Sequence, residues 1–276
     1  LRPAIAILFG RMCGLDEERI LKLGACFELL HTSTLIHDDV IDNAETRRGQ
    51  KTHNARWDNT LTVLYGDFVF SSAMQLAVQL QDLPALGMIS DITRDLVTGE
   101  LLQHANAYQF PPQREKYAEI IRLKTAILFS GCCGVPVVIT KDRELTRQAV
   151  RIGEAIGTAF QIIDDCLDYA ADERLGKPRL IDLKEGKATL PVLMALEKGD
   201  KRVADIVQSV FEKRDITEAQ GSTLVEILKE DGHLATALDH AKAHVRTALE
   251  GLVAFPESRY RNLFQKICNF IIDREF

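Results

Sequence analysis

The chain has 276 residues, a net charge of −6 and 46% hydrophobic residues, which is enough apolar material for one large buried core. The acidic balance and the dispersed basic residues exclude nucleic acid as the main partner. No uninterrupted run of 18 apolar residues occurs, so we expect no transmembrane segment. The chain starts at Leu1 without a methionine, so we expect some N-terminal sequence to be missing.

Helical periodicity dominates the chain. Residues 16–42 begin with acidic residues, contain no proline and are apolar nearly all round until Asp38, which predicts a long buried helix. Residues 145–169 repeat this design and again end in aspartates. Further amphipathic helices are predicted over 60–82, 85–107, 114–133, 189–198, 201–213, 216–230, 234–252 and 257–274.

Glycine and proline predict where the helices break, at 110–113, 134–136 and 175–191. The only β-like run is residues 135–140, which is too short to carry much weight. We therefore predict one all-α domain over residues 1–276. The six cysteines lack metal-ligand spacing, which predicts reduced thiols in a cytoplasmic protein.

Two clusters of carboxylates stand at the ends of the two long helices. Asp38 and Asp42 are four residues apart and share a helix face, and Asp164 and Asp168 repeat this relation. Carboxylates are disfavoured at a helix C-terminus, so the arrangement becomes favourable when divalent cations sit among the oxygens. Oxygen-only ligands favour Mg²⁺. One copy alone would more often be a solvated helix end, whereas two copies on long apolar helices indicate a function.

Basic residues follow both clusters, which suits metal and cation handling of phosphates. The segments "HDDVIDNAETRRG" and "FQIIDDCLDY" resemble the first and second aspartate-rich motifs of the trans-polyprenyl diphosphate synthases. The segments "LRP", "GELLQ", "KT" and "DLKEGKATLP" also fit, in the right order along the chain. The resemblance implies a homodimer with the all-helical isoprenoid synthase fold, in which the helices surround a deep central cavity.

The resemblance also implies a role for each matching residue. Metal ligands, for three Mg²⁺ per active site, would be Asp38, Asp42, Asp164 and Asp168, with Asp39 and Asp165 as supporting acids. The allylic diphosphate, such as farnesyl diphosphate, would be bound by Arg47, Lys124, Thr125, Gln161, Lys177 and Lys187. Isopentenyl diphosphate would be bound by Arg2, His31 and Arg48. His31 has independent support, because it lies seven residues before Asp38 and so on the same helix face.

Two features bear on the product and on the loop after the second motif. Ser33 and Thr34, just upstream of the first motif, are small where short-chain members of the family carry a bulky aromatic. An open tunnel predicts a long product, in the octaprenyl to decaprenyl range. Leu180 stands where the family commonly has glycine, two residues before Asp182, so we expect closure of that loop to differ.

The chemistry implied is ionisation of the allylic diphosphate, condensation with isopentenyl diphosphate and loss of a proton. A short-chain farnesyl or geranylgeranyl diphosphate synthase is the alternative on the same fold. A terpene cyclase would not need a second diphosphate site. A metal phosphohydrolase of the His-Asp type would leave the second motif without a role. A non-catalytic synthase subunit would be expected to have lost part of an acidic motif, and both motifs are intact.

Overall fold

Helices make up almost all of the protein, in a computed structural model that describes residues 1–47, 49–170 and 180–273. The one sheet in these described residues is an antiparallel hairpin of two short strands, β1 (Thr46–Arg47) and β2 (Gln50–Lys51). The all-α prediction is confirmed. The α-helices are α1 (Arg2–Met12), α2 (Glu17–Ile41), α3 (His53–Arg56), α4 (Asn59–Val78), α5 (Leu83–Asn106), α6 (Arg114–Ile121), α7 (Ile127–Val138), α8 (Arg143–Ala170), α9 (Ile181–Lys184), α10 (Leu190–Glu197), α11 (Lys201–Lys213), α12 (Glu218–Glu230), α13 (His233–Gly251) and α14 (Arg259–Ile272).

The two long helices that carry the acidic motifs form where the sequence predicts them. In α2 the side chain of Asp16 accepts a hydrogen bond from the backbone N–H of Arg19, which caps the first turn. The helix then buries apolar side chains on several sides and ends at Ile41, with Asp42 as its C-cap residue. Helix α8 spans 28 residues, three residues longer than the predicted 25-residue range.

The predicted break at 134–136 is wrong, and so is the β-like interpretation of 135–140. Helix α7 continues through Pro136 to Val138, and a turn follows. Two glycines explain this, because a Cβ at Gly131 would lie 2.6 Å from Ile92 and one at Gly134 would lie 2.5 Å from Met88. Such close packing of a helix that is buried from Leu128 to Val137 outweighs the hydrogen bond that a proline removes. The break predicted at 110–113 is confirmed, since α5 ends at Asn106 and α6 begins at Arg114.

The backbone divides into two compact units. The first comprises residues 1–93, 128–150 and 254–264. Its core includes Phe9, whose ring lies edge-on to Phe255 and Phe264 with centroids 5.1 Å apart in both pairs. Helices α2 and α4 pack closely enough for the Cys26 thiol to donate a hydrogen bond to the Ala73 carbonyl, at 3.3 Å.

The second unit comprises residues 94–127, 151–253 and 265–276, of which 171–179 and 274–276 are not described. Side chains cap two of its helices at their first turns. Asp200 accepts backbone hydrogen bonds at the start of α11, and Thr217 and Gln220 form a reciprocal capping box at the start of α12. The sequence prediction of a single domain over the whole chain stays a prediction.

Two helical stretches among the described residues are long and apolar enough to cross a membrane, judged by length and composition alone. They are Asn59–Val78, which is 28% buried within the protein, and Arg114–Val138, which is 78% buried. The second has the burial of a core helix. The absence of a membrane span therefore stays a prediction.

Candidate active site

The first acidic cluster lies at the end of α2, in the first unit. Asp42 is exposed and Asp38 is half-buried, whereas Asp39 is only 3% exposed. A buried carboxylate needs a partner, and Arg47 supplies it through a hydrogen bond from Nε to Asp39 Oδ1 at 2.7 Å. The residue that the family resemblance assigns to the allylic diphosphate is thus held by the middle aspartate of the motif.

The chain after the motif is folded back against the end of α2. Asn54 donates hydrogen bonds from Nδ2 to the carbonyls of Asp39 and Ala44, at 3.2 and 3.1 Å. Thr52 donates from Oγ1 to the same Ala44 carbonyl at 2.6 Å. These contacts brace the hairpin that carries Arg47. The neighbouring Arg48 lies outside the described residues.

Arg2 and His31, which the resemblance assigns to isopentenyl diphosphate, also lie in the first unit. The Arg2 guanidinium stacks over the Phe129 ring, 4.7 Å from its centroid. His31 is half-buried on α2. The chain-length candidates differ, because Ser33 is buried and donates to the Leu30 carbonyl whereas Thr34 is half-buried.

The second acidic cluster lies at the end of α8, in the second unit. Asp164 is exposed, whereas Asp165 is 4% exposed. A chain of hydrogen bonds surrounds the buried acid. Thr125 Oγ1 donates to Gln161 Oε1 at 2.7 Å, Gln161 Nε2 donates to Asp165 Oδ1 at 2.6 Å, and the Tyr117 hydroxyl donates to Asp165 Oδ2 at 2.6 Å. The chain joins three sequence-predicted residues to Tyr117, which sequence reasoning missed.

Burial changes the protonation of this second cluster. It raises the pKa of Asp165 to about 7, against the lowering effect of the hydrogen bonds from Tyr117 and Gln161. Burial also raises the pKa of Asp168, although backbone N–H groups of Ile181 and Asp182 donate to its carboxylate at 3.1 and 3.2 Å. The pKa of Asp182 is raised by burial and by the nearby charges of Asp165 and Asp168. Crowded carboxylates of this kind would be ionised together only beside cations.

Two lysines of the second unit are each paired with a glutamate. Lys124 lies in a single π-helical turn, Arg122–Ala126, a geometry often found at functional sites. Its Nζ is 2.5 Å from Glu100 Oε2. Lys187 Nζ is likewise 2.5 Å from Glu185 Oε2. The pairs hold both ammonium groups in place.

A cavity of about 500 Å³ brings these residues together. Its wall includes five predicted site residues, namely Lys124, Thr125, Gln161, Asp165 and Lys187. Tyr117 and Asp182 also line it, and no sequence prediction assigned them a role. The spacing of seven residues between Tyr117 and Lys124 was the available signal, because it places both on one helix face. Lys177 lies outside the described residues.

Solved structures share this fold over the whole chain. A decaprenyl diphosphate synthase from Rhodobacter capsulatus matches with a TM-score of 0.93 and 30% identity, covering 99% of this chain and 85% of that one. A polyprenyl synthase from Caulobacter crescentus, complexed with calcium and isoprenyl diphosphate, matches with a TM-score of 0.92 and 34% identity, covering 100% and 85%. The octaprenyl diphosphate synthase of Haemophilus influenzae is 34% identical over 278 residues, which cover 100% of this chain and 84% of the relative.

These likenesses define the class as helical prenyltransferases with the isoprenoid synthase fold. Residues 1–228 match the polyprenyl synthetase family, and the chain belongs to that family. The predictions of fold, family and enzyme class made from the two aspartate-rich motifs are confirmed.

Proposed function

We propose that this protein condenses isopentenyl diphosphate with an allylic diphosphate, such as farnesyl diphosphate, and repeats the step to make a long all-trans polyprenyl diphosphate. The observation that carries the proposal is the cavity of the second unit. Its lining includes Lys124, Thr125, Gln161 and Lys187 together with Asp165 of the second acidic cluster. Ammonium, hydroxyl and amide donors at this density suit a diphosphate.

Magnesium fits the donor set of the two acidic clusters. Asp38, Asp42, Asp164 and Asp168 offer only carboxylate oxygens, the ligands that Mg²⁺ takes alongside water and substrate phosphate. Among the described residues, no group of three or more His, Cys, Asp or Glu side chains is placed to hold a metal ion. Water and diphosphate oxygens would complete the coordination, and three ions per active site remain part of the proposal. Bound Mg²⁺ would supply charge neutralisation of the departing diphosphate.

The protein's own residues would do the rest of the work. Lys124 and Lys187 bind the allylic diphosphate and stabilise the charge that grows as the carbon–oxygen bond ionises. Gln161 orients the diphosphate through its amide, which is itself fixed by Thr125 and Asp165. Arg47 is a further cation that we assign to the allylic diphosphate. Arg2, His31 and Arg48 hold isopentenyl diphosphate, whose double bond attacks the allylic cation before a proton leaves.

A homodimer is part of the same proposal. The outer face of α4 carries Leu61, Leu64 and Phe68 at positions i, i+3 and i+7, which are 48%, 59% and 68% exposed. Such a stripe of large apolar side chains marks an association surface. We assign it to a second copy of this chain, and the mass in solution measured by light scattering would test this. The six free cysteines support the cytoplasmic location that we propose.

The test of function is a single assay. The purified protein is incubated with isopentenyl and farnesyl diphosphates in Mg²⁺, and the products are sized by chromatography. We expect products longer than geranylgeranyl, and none in the presence of a chelator. Products that stop at geranylgeranyl would replace the long-chain proposal with the short-chain alternative. Cyclised hydrocarbon from farnesyl diphosphate alone would contradict both.

A further inference from the structure

The loop between α9 and α10 carries Lys187, which lines the cavity, and the second acidic motif holds the start of α9 just before this loop. Asp168 accepts hydrogen bonds from the backbone N–H groups of Ile181 and Asp182. The Lys187 N–H in turn donates to the Asp182 carbonyl at 2.8 Å. These hydrogen bonds from α8 reach Ile181 and Asp182, whereas the turn just before Lys187 is contacted by a different segment.

Those contacts come from Tyr108, which follows the end of α5. Its backbone N–H donates to the Gly186 carbonyl at 3.0 Å, and its hydroxyl donates to the Lys184 carbonyl at 2.9 Å. Its ring also lies against Gly186, where an added Cβ would be 2.6 Å from the ring carbon Cγ. One residue thus holds the turn of residues 184–186 by one backbone hydrogen bond, one side-chain hydrogen bond and a close packing contact of its ring.

The Tyr108 ring also contacts two residues at the end of α11. The Arg214 guanidinium lies 4.7 Å from the ring centroid, and Phe211 meets the ring edge-on at 6.0 Å. Phe211 lies in the last turn of α11 and Arg214 is its C-cap residue, so the tyrosine joins three separate segments of the second unit. Cation–aromatic and aromatic pairs of this kind restrict the ring to one orientation.

Three residues in and around these contacts have a left-handed backbone. Tyr108 has a φ of +60°, Arg214 a φ of +53° and Leu180 a φ of +57°. This left-handed conformation is unfavourable for bulky residues, and it persists only where the surroundings enforce it. Leu180 occupies the position where the family commonly has glycine, so here a bulky residue adopts the left-handed backbone that glycine would adopt without strain. Leu180 precedes the loop that carries Lys187, and Tyr108 contacts that loop from another segment. Left-handed residues at both places indicate that the position of the loop matters.

We propose that Tyr108 is a positioning residue for Lys187. It fixes the turn of residues 184–186 so that the Lys187 ammonium group stays at the cavity wall, ready for the allylic diphosphate. Tyr108 itself is absent from the cavity wall, whereas its neighbours Ala107 and Gln109 line it. Tyr108 therefore acts through Lys187 and not on the substrate. The inference rests on the proposed function and deepens it.

The test removes only the hydroxyl, with Tyr108→Phe, and keeps the ring. Loss of one neutral hydrogen bond should raise the apparent KM for farnesyl diphosphate about 5-fold to 10-fold, with the KM for isopentenyl diphosphate changed less than about twofold. Arg214→Asn, which frees the ring face and suits a left-handed backbone, should give a smaller change in the same direction. The matched control is Tyr260→Phe, because Tyr260 also lies under an arginine, Arg259, at 4.8 Å, in the first unit.

Coupling to Lys187 separates positioning from general stability. Binding of inorganic pyrophosphate in Mg²⁺ is measured by calorimetry for Tyr108→Phe, Lys187→Met and the double variant, together with their melting temperatures. We expect the pyrophosphate Kd to rise about 5-fold for Tyr108→Phe and to change less than about twofold when the same substitution is made in Lys187→Met. An equal effect in both backgrounds, or none in the first, would overturn the inference. Because pyrophosphate binding needs no condensation, a protein that binds pyrophosphate but makes no prenyl product would contradict the proposed function alone.

Discussion

The two acidic clusters share one sequence spacing but balance their middle carboxylate in different ways. Asp39 and Asp165 are equally buried, at 3% and 4% exposure. Asp39 is hydrogen-bonded to the charged guanidinium of Arg47. Among the described residues, the hydrogen-bond donors to Asp165 are neutral, namely the Tyr117 hydroxyl and the Gln161 amide. Burial is therefore offset by a full charge in the first cluster and by dipoles in the second.

This difference assigns different tasks to the same motif. In the first cluster the middle aspartate orients Arg47, the cation that we propose for the allylic diphosphate. In the second, three acids whose pKa values are raised stand together, namely Asp165, Asp168 and Asp182. Ionising these three acids together costs free energy through burial and mutual repulsion, and a bound cation would lower that cost. We expect metal binding to stabilise the second cluster more than the first.

Removing the outer acid of either motif should give the largest effect, and it should be the same for both. We expect Asp38→Ala and Asp164→Ala each to lower the rate of condensation by roughly a thousandfold, because the departing diphosphate loses several kcal/mol of charge stabilisation. Helical content, measured by circular dichroism, should not change. Asp205→Ala, at an exposed position of α11, serves as the control. A large loss at only one of the two motifs would contradict their joint role in metal binding.

Substitution of the middle acids should change the stability of the protein in a different way in each cluster. We expect Asp39→Asn to lower the free energy of unfolding by about 1–2 kcal/mol, because Arg47 loses its charged partner but is partly solvated. The measurement is chemical denaturation in the presence of a chelator. A neutral result for Asp39→Asn would show that Arg47 finds another partner.

The effect of Asp165→Asn on the melting temperature should instead depend on pH. The pKa of Asp165 is about 7 in the folded protein and near 3.8 as a free side chain. Between these values the folded protein keeps a proton that the unfolded chain has lost, so this group lowers stability as pH rises from about 4 to about 7. Without metal, the variant should melt above the wild type at pH 8, and the difference should vanish near pH 4. A difference that is constant with pH would mean that Asp165 does not titrate in this range.

The two adjacent arginines after the first motif should differ in kinetics by a smaller amount. We expect Arg47→Ala to raise the KM for the allylic primer about tenfold to a hundredfold, since one charge-assisted contact is worth roughly 1.5–3 kcal/mol. Arg48→Ala should act mainly on the KM for isopentenyl diphosphate. Steady-state kinetics with each substrate varied in turn would check this. Identical effects of both substitutions on both substrates would contradict the assignment.

The sequence predicts the helices well because their apolar periodicity is long and strong. The ranges 16–42 and 145–169 match α2 and α8 closely, and the aspartates fall at the helix ends as expected. Pro136 misled the prediction because tight packing at Gly131 and Gly134 cannot be read from local propensity. Tyr117 could not be assigned to Asp165, 48 residues away, because contacts between distant segments leave no trace in a single sequence.

The helices also differ one turn before their motifs, and this leads to the prediction with the smallest effect on rate. Thr34 precedes Asp38 by four residues on α2, whereas the bulky Phe160 precedes Asp164 by four on α8. A small side chain leaves room for a growing prenyl chain, so we expect the product to extend along α2 toward its N-terminus. Thr34 is half-buried, but Ser33 is 2% exposed and its hydroxyl bonds to the Leu30 carbonyl. Ser33→Phe should therefore overpack the core and cost about 1–3 kcal/mol.

Thr34→Phe is consequently the cleaner test of product length. We expect its ring to close the path and shift products from the octaprenyl to decaprenyl range down to roughly fifteen or twenty carbons, with the first condensation preserved. Thr32→Phe is the matched control, because residue 32 is also a threonine of α2 but points about 160° away from residue 34 around the helix axis. Products of both variants are sized by chromatography beside the wild type. If Thr34→Phe and Thr32→Phe gave the same product lengths, the prenyl chain would have to grow along a path that does not pass Thr34.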